Sequence, residues 1–170
     1  EEGSKLGMII TATPSFRGRR IEAGLLSAGQ DFTNDTNPFS VGLGRFVDLG
    51  KENFIGKKAL IDADKNCRSW GIRVLDGIAK KGRTLKIDKN LVGSVTSSTW
   101  SPFQACGVGI VFMDRADLGP RTIVDVECTD EKFHKGEICK LPMYDPKGEI
   151  VRGINKNIPT KPEPWLGIKS

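Results

Sequence analysis

Arg19, Arg20, Glu22 and Asp31 are the first residues of this chain whose types and spacing could do chemistry. Arg20 and Glu22 stand two apart, so on a helix they point to different sides, whereas Arg19 and Glu22 stand three apart and can meet. A guanidinium presents a planar fork of donors to carboxylate or heterocycle acceptors. Asp31 follows Gly29 closely; it could act as an acid or base, but an acidic residue after a helix stop more commonly caps a turn. Cys67, Cys106, Cys128 and Cys139 show no C-x-x-C spacing, and His134 is the sole histidine, so no metal site is predicted. Gly42-x-Gly44 lacks the third glycine of a dinucleotide fingerprint.

The elements that must position these residues divide at Asp64-Lys65-Asn66. Residues 1–66 form a first unit, with Glu1–Met8 as a helix tail ending near Gly7. Thr13-Pro14 reads as a helix start, with Thr13 as cap and Pro14 in the first turn, where no N–H is needed. That helix runs to about Ser27 and stops at Gly29, with Ile21 and Leu25 on its core face. Arg45–Leu49 reads as a short strand and Gly56–Ala63 as a short helix. Residues 67–146 form the second unit, in which the period changes to two. Trp70, Ile72 and Val74 alternate with Gly71 and Arg73, and Val124, Val126 and Cys128 alternate with Asp125 and Glu127. Further strands are predicted at Leu91–Ser97, Ala105–Met113 and Gly136–Leu141. Short strands separated by Gly, Pro and Asp predict an antiparallel barrel or sandwich with Trp70, Ile72, Val95, Ile110, Val124 and Val126 inside. Residues 147–170, with Pro159, Pro162 and Pro164, read as an extended tail.

The chain has 170 residues, 38% hydrophobic and 28% charged, a folded rather than disordered composition. It starts at Glu1 rather than Met, consistent with a processed or truncated product. No apolar run reaches a membrane span, and Leu6–Ile10 lacks the cleavage region of a signal peptide. The net charge of +5 is scattered, and aromatics make up only 7%, which argues against a nucleic-acid stripe. Cysteines in apolar strand-like segments imply free thiols in a reducing compartment, the cytoplasm, or the mitochondrial matrix for a eukaryotic source.

One ordered series of blocks carries more than any single residue. Arg20-Ile21-Glu22-Ala23-Gly24-Leu25-Leu26, Gly29-Gln30-Asp31, Asn37-Pro38-Phe39, Val41-Gly42-Leu43 and Asn53-Phe54-Ile55-Gly56-Lys57-Lys58-Ala59-Leu60 follow one another at set intervals. Val92-Gly93-Ser94-Val95-Thr96-Ser97, Gly107-Val108-Gly109-Ile110 and Leu141-Pro142-Met143-Tyr144 continue the series. In this order they resemble the tetrahydrofolate-dependent aminomethyltransferases, the family of the glycine cleavage T-protein and of the dimethylsulfoniopropionate demethylases. The resemblance spans roughly residues 14–145. It implies an α+β, mainly β fold: a remnant of a mixed α/β folate-binding domain, then a Greek-key barrel.

The resemblance also implies roles. Arg20 matches an arginine that contacts the folate, Tyr144 a late aromatic near the folate pocket, and Glu22 lies in the same motif, with a structural role beside Arg19 as the stronger reading. Ala28 departs from the T-protein, which has an aromatic there. The implied cofactor is tetrahydrofolate, and the implied partners are a small amine or sulfonium one-carbon donor and an N-terminal half that supplies the catalytic residues. No segment here matches that half, so the chain alone is expected to be inactive. Two other readings stay open: a non-catalytic binding module that keeps the fold, and a folate-binding domain of a larger amine oxidase or dehydrogenase.

Overall fold

Period-two burial after Cys67 closes into a barrel in the computed structural model, which describes residues 2–10 and 12–168. Six antiparallel strands form it: β1 (Ser69–Val74), β2 (Thr84–Ile87), β3 (Asn90–Ser101), β4 (Cys106–Met113), β5 (Ile123–Glu127) and β6 (Phe133–Cys139). Their order around the barrel is β1-β4-β3-β2-β5-β6. The meander β2-β3-β4 is flanked by β5 beside β2 and by β1 beside β4, the Greek-key arrangement. Closure leaves no free sheet edge. Ile72, Leu85, Val95, Val111, Val126 and Ile138 fill the interior, all but sealed from solvent.

β2 is the strand that sequence reading misses. It is only four residues long, and its hairpin to β3 turns on Asp88 and Lys89, both in left-handed conformation at φ 48 and 70. A two-residue turn of this hand is usually announced by a glycine.

β4 is buried on both faces. Val111 and Met113 face the interior, while Cys106, Val108 and Ile110 pack outward with Ile21 in a second apolar cluster. Ile110 is therefore buried against a helix rather than inside the barrel, because its position on the strand has the opposite parity to Val111. Trp70, also expected inside, is only partly buried and packs against the interior cluster. Glycines let the strands approach. A Cβ on Gly107 would lie 1.9 Å from the Gly77 carbonyl oxygen, a backbone atom with nowhere to go. Gly107→Ala is expected to destabilise the barrel by about 3 kcal/mol or more, the upper end of overpacking costs. A thermal melt unchanged from the parent would show that the β1–β2 connection can move aside.

Before the barrel lie α1 (Glu2–Lys5), α2 (Thr13–Glu22), a 3-10 turn at Gly44–Phe46 and α3 (Lys57–Asp62); among the described residues this segment holds no named strand. Glu1 of the expected helix tail lies outside the described residues. The cap of α2 is Ala12, and Thr13 is already helical. The helix ends at Glu22 because Gly24 adopts φ 68, which returns the Gly24 and Leu25 amides to the Ile21 and Arg20 carbonyls. With the helix over, Leu25 leaves the core face and is exposed, whereas Ile21 stays buried against β4. Residues 45–49 turn rather than extend, since the Phe46 and Val47 amides bond back to Leu43 and Gly44. The tail is extended beyond Asn155, and its end returns to the barrel: the Glu163 and Trp165 amides donate to the Phe103 and Gln104 carbonyls at 2.8 and 2.7 Å. Lys169 and Ser170 lie outside the described residues.

Candidate functional site

α2 carries Arg20 and Glu22 to different neighbours, as their spacing requires. Arg20 turns toward the loop after the helix. Its Nη1 donates to Asp31 Oδ2 at 2.6 Å and to the Leu25 carbonyl at 2.8 Å, and its Nη2 donates to Ser97 Oγ at 2.9 Å. Only 13% of the Arg20 side chain is exposed, and none of the Asp31 side chain. The Ser27 amide also donates to Asp31 Oδ2, at 2.9 Å, and the Asp31 amide donates to the Ser27 carbonyl at 2.8 Å. The Thr96 hydroxyl lies 2.6 Å from Asp31 Oδ1.

The barrel reaches this pair through an irregularity. β3 pairs with β4 as Val95 with Val111 and then Ser97 with Ile110, leaving Thr96 as an extra residue. Such a bulge re-aims side chains. Here the Thr96 and Ser97 hydroxyls both meet the Arg20–Asp31 pair. Burial pushes the Asp31 carboxyl up. The hydrogen bonds from Ser97, Thr96, the Ser27 amide and Arg20 outweigh it and hold the group below its ordinary value. Asp31 is therefore more than a turn residue: it clamps α2 to the barrel.

Glu22 faces another way. Its Oε1 accepts from the Ser101 hydroxyl at 2.5 Å, and Ser101 Oγ in turn accepts from the Gln104 amide at 2.9 Å. Its Oε2 meets Arg19 Nη1 at 3.4 Å. The Glu22 carbonyl accepts from the Met143 and Tyr144 amides at 2.7 and 3.3 Å. The Tyr144 ring meets Phe103 edge-on, centroids 5.1 Å apart at 73°. Glu22 and Tyr144 therefore share one patch, and Arg20 stands apart from both in the Asp31 cluster. Sequence reading did not find Ser97, Thr96, Ser101 or Phe103; no local pattern marks them, because each acts through a partner far away in the chain.

Ala28 lines a half-open cavity of about 440 Å3 together with Phe32, Thr36, Asn37, Pro38 and Val41. The four cysteines are free thiols. Burial pushes Cys106 and Cys128 up to about 11 and Cys139 to about 12. A thiol reagent should count four groups in the denatured, unreduced chain, while in the native chain Cys67, pushed up by burial like the others but only half-buried, should react first. A denatured count of two or none would contradict this. Among the described residues no group of three or more His, Cys, Asp or Glu side chains is placed to hold a metal ion, and no helix is long and apolar enough to cross a membrane.

Residues 68–145 match the glycine cleavage T-protein C-terminal barrel domain. An aminomethyltransferase of Prochlorococcus marinus is 38% identical over 130 residues, which is 74% of this chain and 35% of that protein. The dimethylsulfoniopropionate demethylase of Ruegeria pomeroyi is 35% identical over 147 residues, 76% of this chain and 40% of the demethylase. The crystal structure of the glycine cleavage system aminomethyltransferase T from Bartonella henselae superposes with a TM-score of 0.66 at 27% identity, covering 76% of this chain and 38% of that one. The chain thus spans well under half the length of these relatives.

Proposed function

The chain belongs to the glycine cleavage T-protein family through its C-terminal barrel, and on that premise we propose that it is the C-terminal portion of a tetrahydrofolate-dependent methyl- or aminomethyltransferase. The observation that carries this reading is that relatives named for two different reactions, an aminomethyl transfer and a demethylation, match 74% and 76% of this chain. What they hold in common is transfer of a one-carbon unit rather than either donor. The proposal divides the chain into residues 1–66, the end of the folate-binding domain, residues 67–146, the barrel, and residues 147–170, the tail.

The residues present fit one edge of a folate. A flat heteroaromatic calls for an aromatic neighbour and a few fixed polar groups. Phe103 and Tyr144 offer the aromatic edge. In this proposal Tyr144 lies against the cofactor, and the Glu22 carbonyl holds the Tyr144 backbone in place. Arg20 retains its Nε–H and one Nη2 hydrogen, which have no acceptor among the described residues. When bound, tetrahydrofolate supplies the nitrogen that takes up the one-carbon unit. This chain would orient it and help exclude water, while the groups that move protons would come from the rest of the protein. The half-open cavity beside Ala28 would admit the small amine or sulfonium donor. A cytoplasmic or matrix location is part of the same proposal, in keeping with four free thiols.

The test is calorimetric titration of tetrahydrofolate into the chain alone and into a chimera, with this chain replacing the corresponding segment of the Prochlorococcus relative. Saturable binding by neither protein would remove the reading and leave a binding module that keeps the fold.

A further inference from the structure

The Glu22 carboxylate is almost wholly buried, yet only one of its oxygens is well partnered. Oε1 holds the Ser101 hydroxyl at 2.5 Å. Oε2 has only the long 3.4 Å contact to Arg19, whose side chain is 71% exposed against 4% for Glu22. A buried carboxylate oxygen without a close donor is costly unless something supplies one.

This carboxylate lines a cavity of about 390 Å3 between α2 and the end of β3, with Arg19, Trp100, Pro102 and Phe103 around it. Gly18 opens the gap. A Cβ there would already stand in ordinary contact with the Trp100 carbonyl oxygen at 3.8 Å and Thr99 Cγ2 at 3.9 Å, so any side chain larger than a methyl would intrude on the space. A buried anion among aromatic rings selects for positive charge, because ring faces attract cations and a carboxylate pairs with N–H donors. Arg19 already occupies the mouth, loosely and from solvent, as the resident cation that a better-fitting one would displace.

We propose that this cavity binds a small organic cation bearing N–H donors, an amidinium or primary ammonium on an apolar body. The charged head sits on Glu22 Oε2 and the body lies between Trp100 and Phe103. The inference goes beyond the folate reading and does not rest on it: it shares Phe103 with the proposed folate edge, but its charge recognition uses the Glu22 carboxylate and the Gly18 gap rather than Arg20 or Tyr144.

The experiment is calorimetry on the 170-residue chain with three probes of one shape: benzamidinium, neutral benzamide and anionic benzoate. Benzamidinium should bind saturably, at least about tenfold tighter than benzamide, with benzoate weakest. Arg19→Ala should tighten benzamidinium several-fold by removing the competitor. Glu22→Gln should erase the preference for charge. Gly18→Leu should abolish binding by filling the gap. Its melting profile shows separately whether the fold is kept, so the question stays decidable should Glu22→Gln fail to fold. Equal binding of benzamide, tighter binding of benzoate, or benzamidinium binding unchanged in folded Gly18→Leu would each overturn the proposal.

Discussion

Replacing Arg20 with alanine should cost the folded chain about 3–5 kcal/mol, because it leaves a fully buried carboxylate without its counter-charge. Domains of this size hold only about 5–15 kcal/mol in total, so the denaturant midpoint should fall steeply. Arg19→Ala, one position away, is the control. Its pair with Glu22 is long and its side chain mostly in solvent, so its loss should cost no more than about 1 kcal/mol. A cost for Arg20→Ala as small as that for Arg19→Ala would mean that the clamp contributes little and that Arg20 is free for a ligand. The same cluster sets a pH dependence. The Asp31 carboxyl is held below its unfolded value, so its contribution is complete above about pH 4 and is lost as pH falls through the lower folded value. The stability gap between the parent and Asp31→Asn should therefore narrow in acid. A gap that widened below pH 4 would reverse the sign of the assignment.

Arg20 also shows where sequence reading reaches its limit. Its motif and its helix were legible, because a proline near the start and the Ile21 position are local signals. Its partner was not. The Arg20–Asp31 pair is completed by Ser97, seventy-seven residues away, and it depends on a bulge at Thr96 that no pattern of alternation announces. The barrel was legible for the opposite reason: β1 and β5 alternate with period two, three more strands stand out as short runs bounded by Gly, Pro and Asp, and only β2, short and joined by a turn without glycine, escaped. Misplaced boundaries had equally local causes. Gly24 and Gly29 are both credible helix stops, and both adopt positive φ; the first one reached ended the helix and put Leu25 into solvent. Ile110, expected inside the barrel, is buried on its outer side, because a strand covered by a helix outside and a core inside gives no alternation from which to choose.

The largest effect expected is on cofactor affinity. The chain alone should bind tetrahydrofolate weakly and turn over no donor, and the chimera should bind it tighter by roughly two to four orders of magnitude. In the proposal the aromatic edge at Phe103 and Tyr144 and, apart from it, the remaining Arg20 hydrogens would supply two separate contacts rather than a closed pocket. The relatives are long enough to supply others, since this chain spans 35% of one and 40% of another. Two charge-assisted hydrogen bonds at about 1.5–3 kcal/mol each account for the predicted difference. Stability must be separated from contact in reading the variants, because Arg20 clamps Asp31. Tyr144→Ala is therefore the cleaner probe: its ring meets Phe103 edge-on, and removing it should weaken folate binding in the chimera by about tenfold, the scale of one aromatic contact, with a smaller loss of melting temperature than Arg20→Ala. Nanomolar folate binding by the isolated chain, or a chimera indifferent to Tyr144→Ala, would place the cofactor elsewhere than against this edge of the barrel.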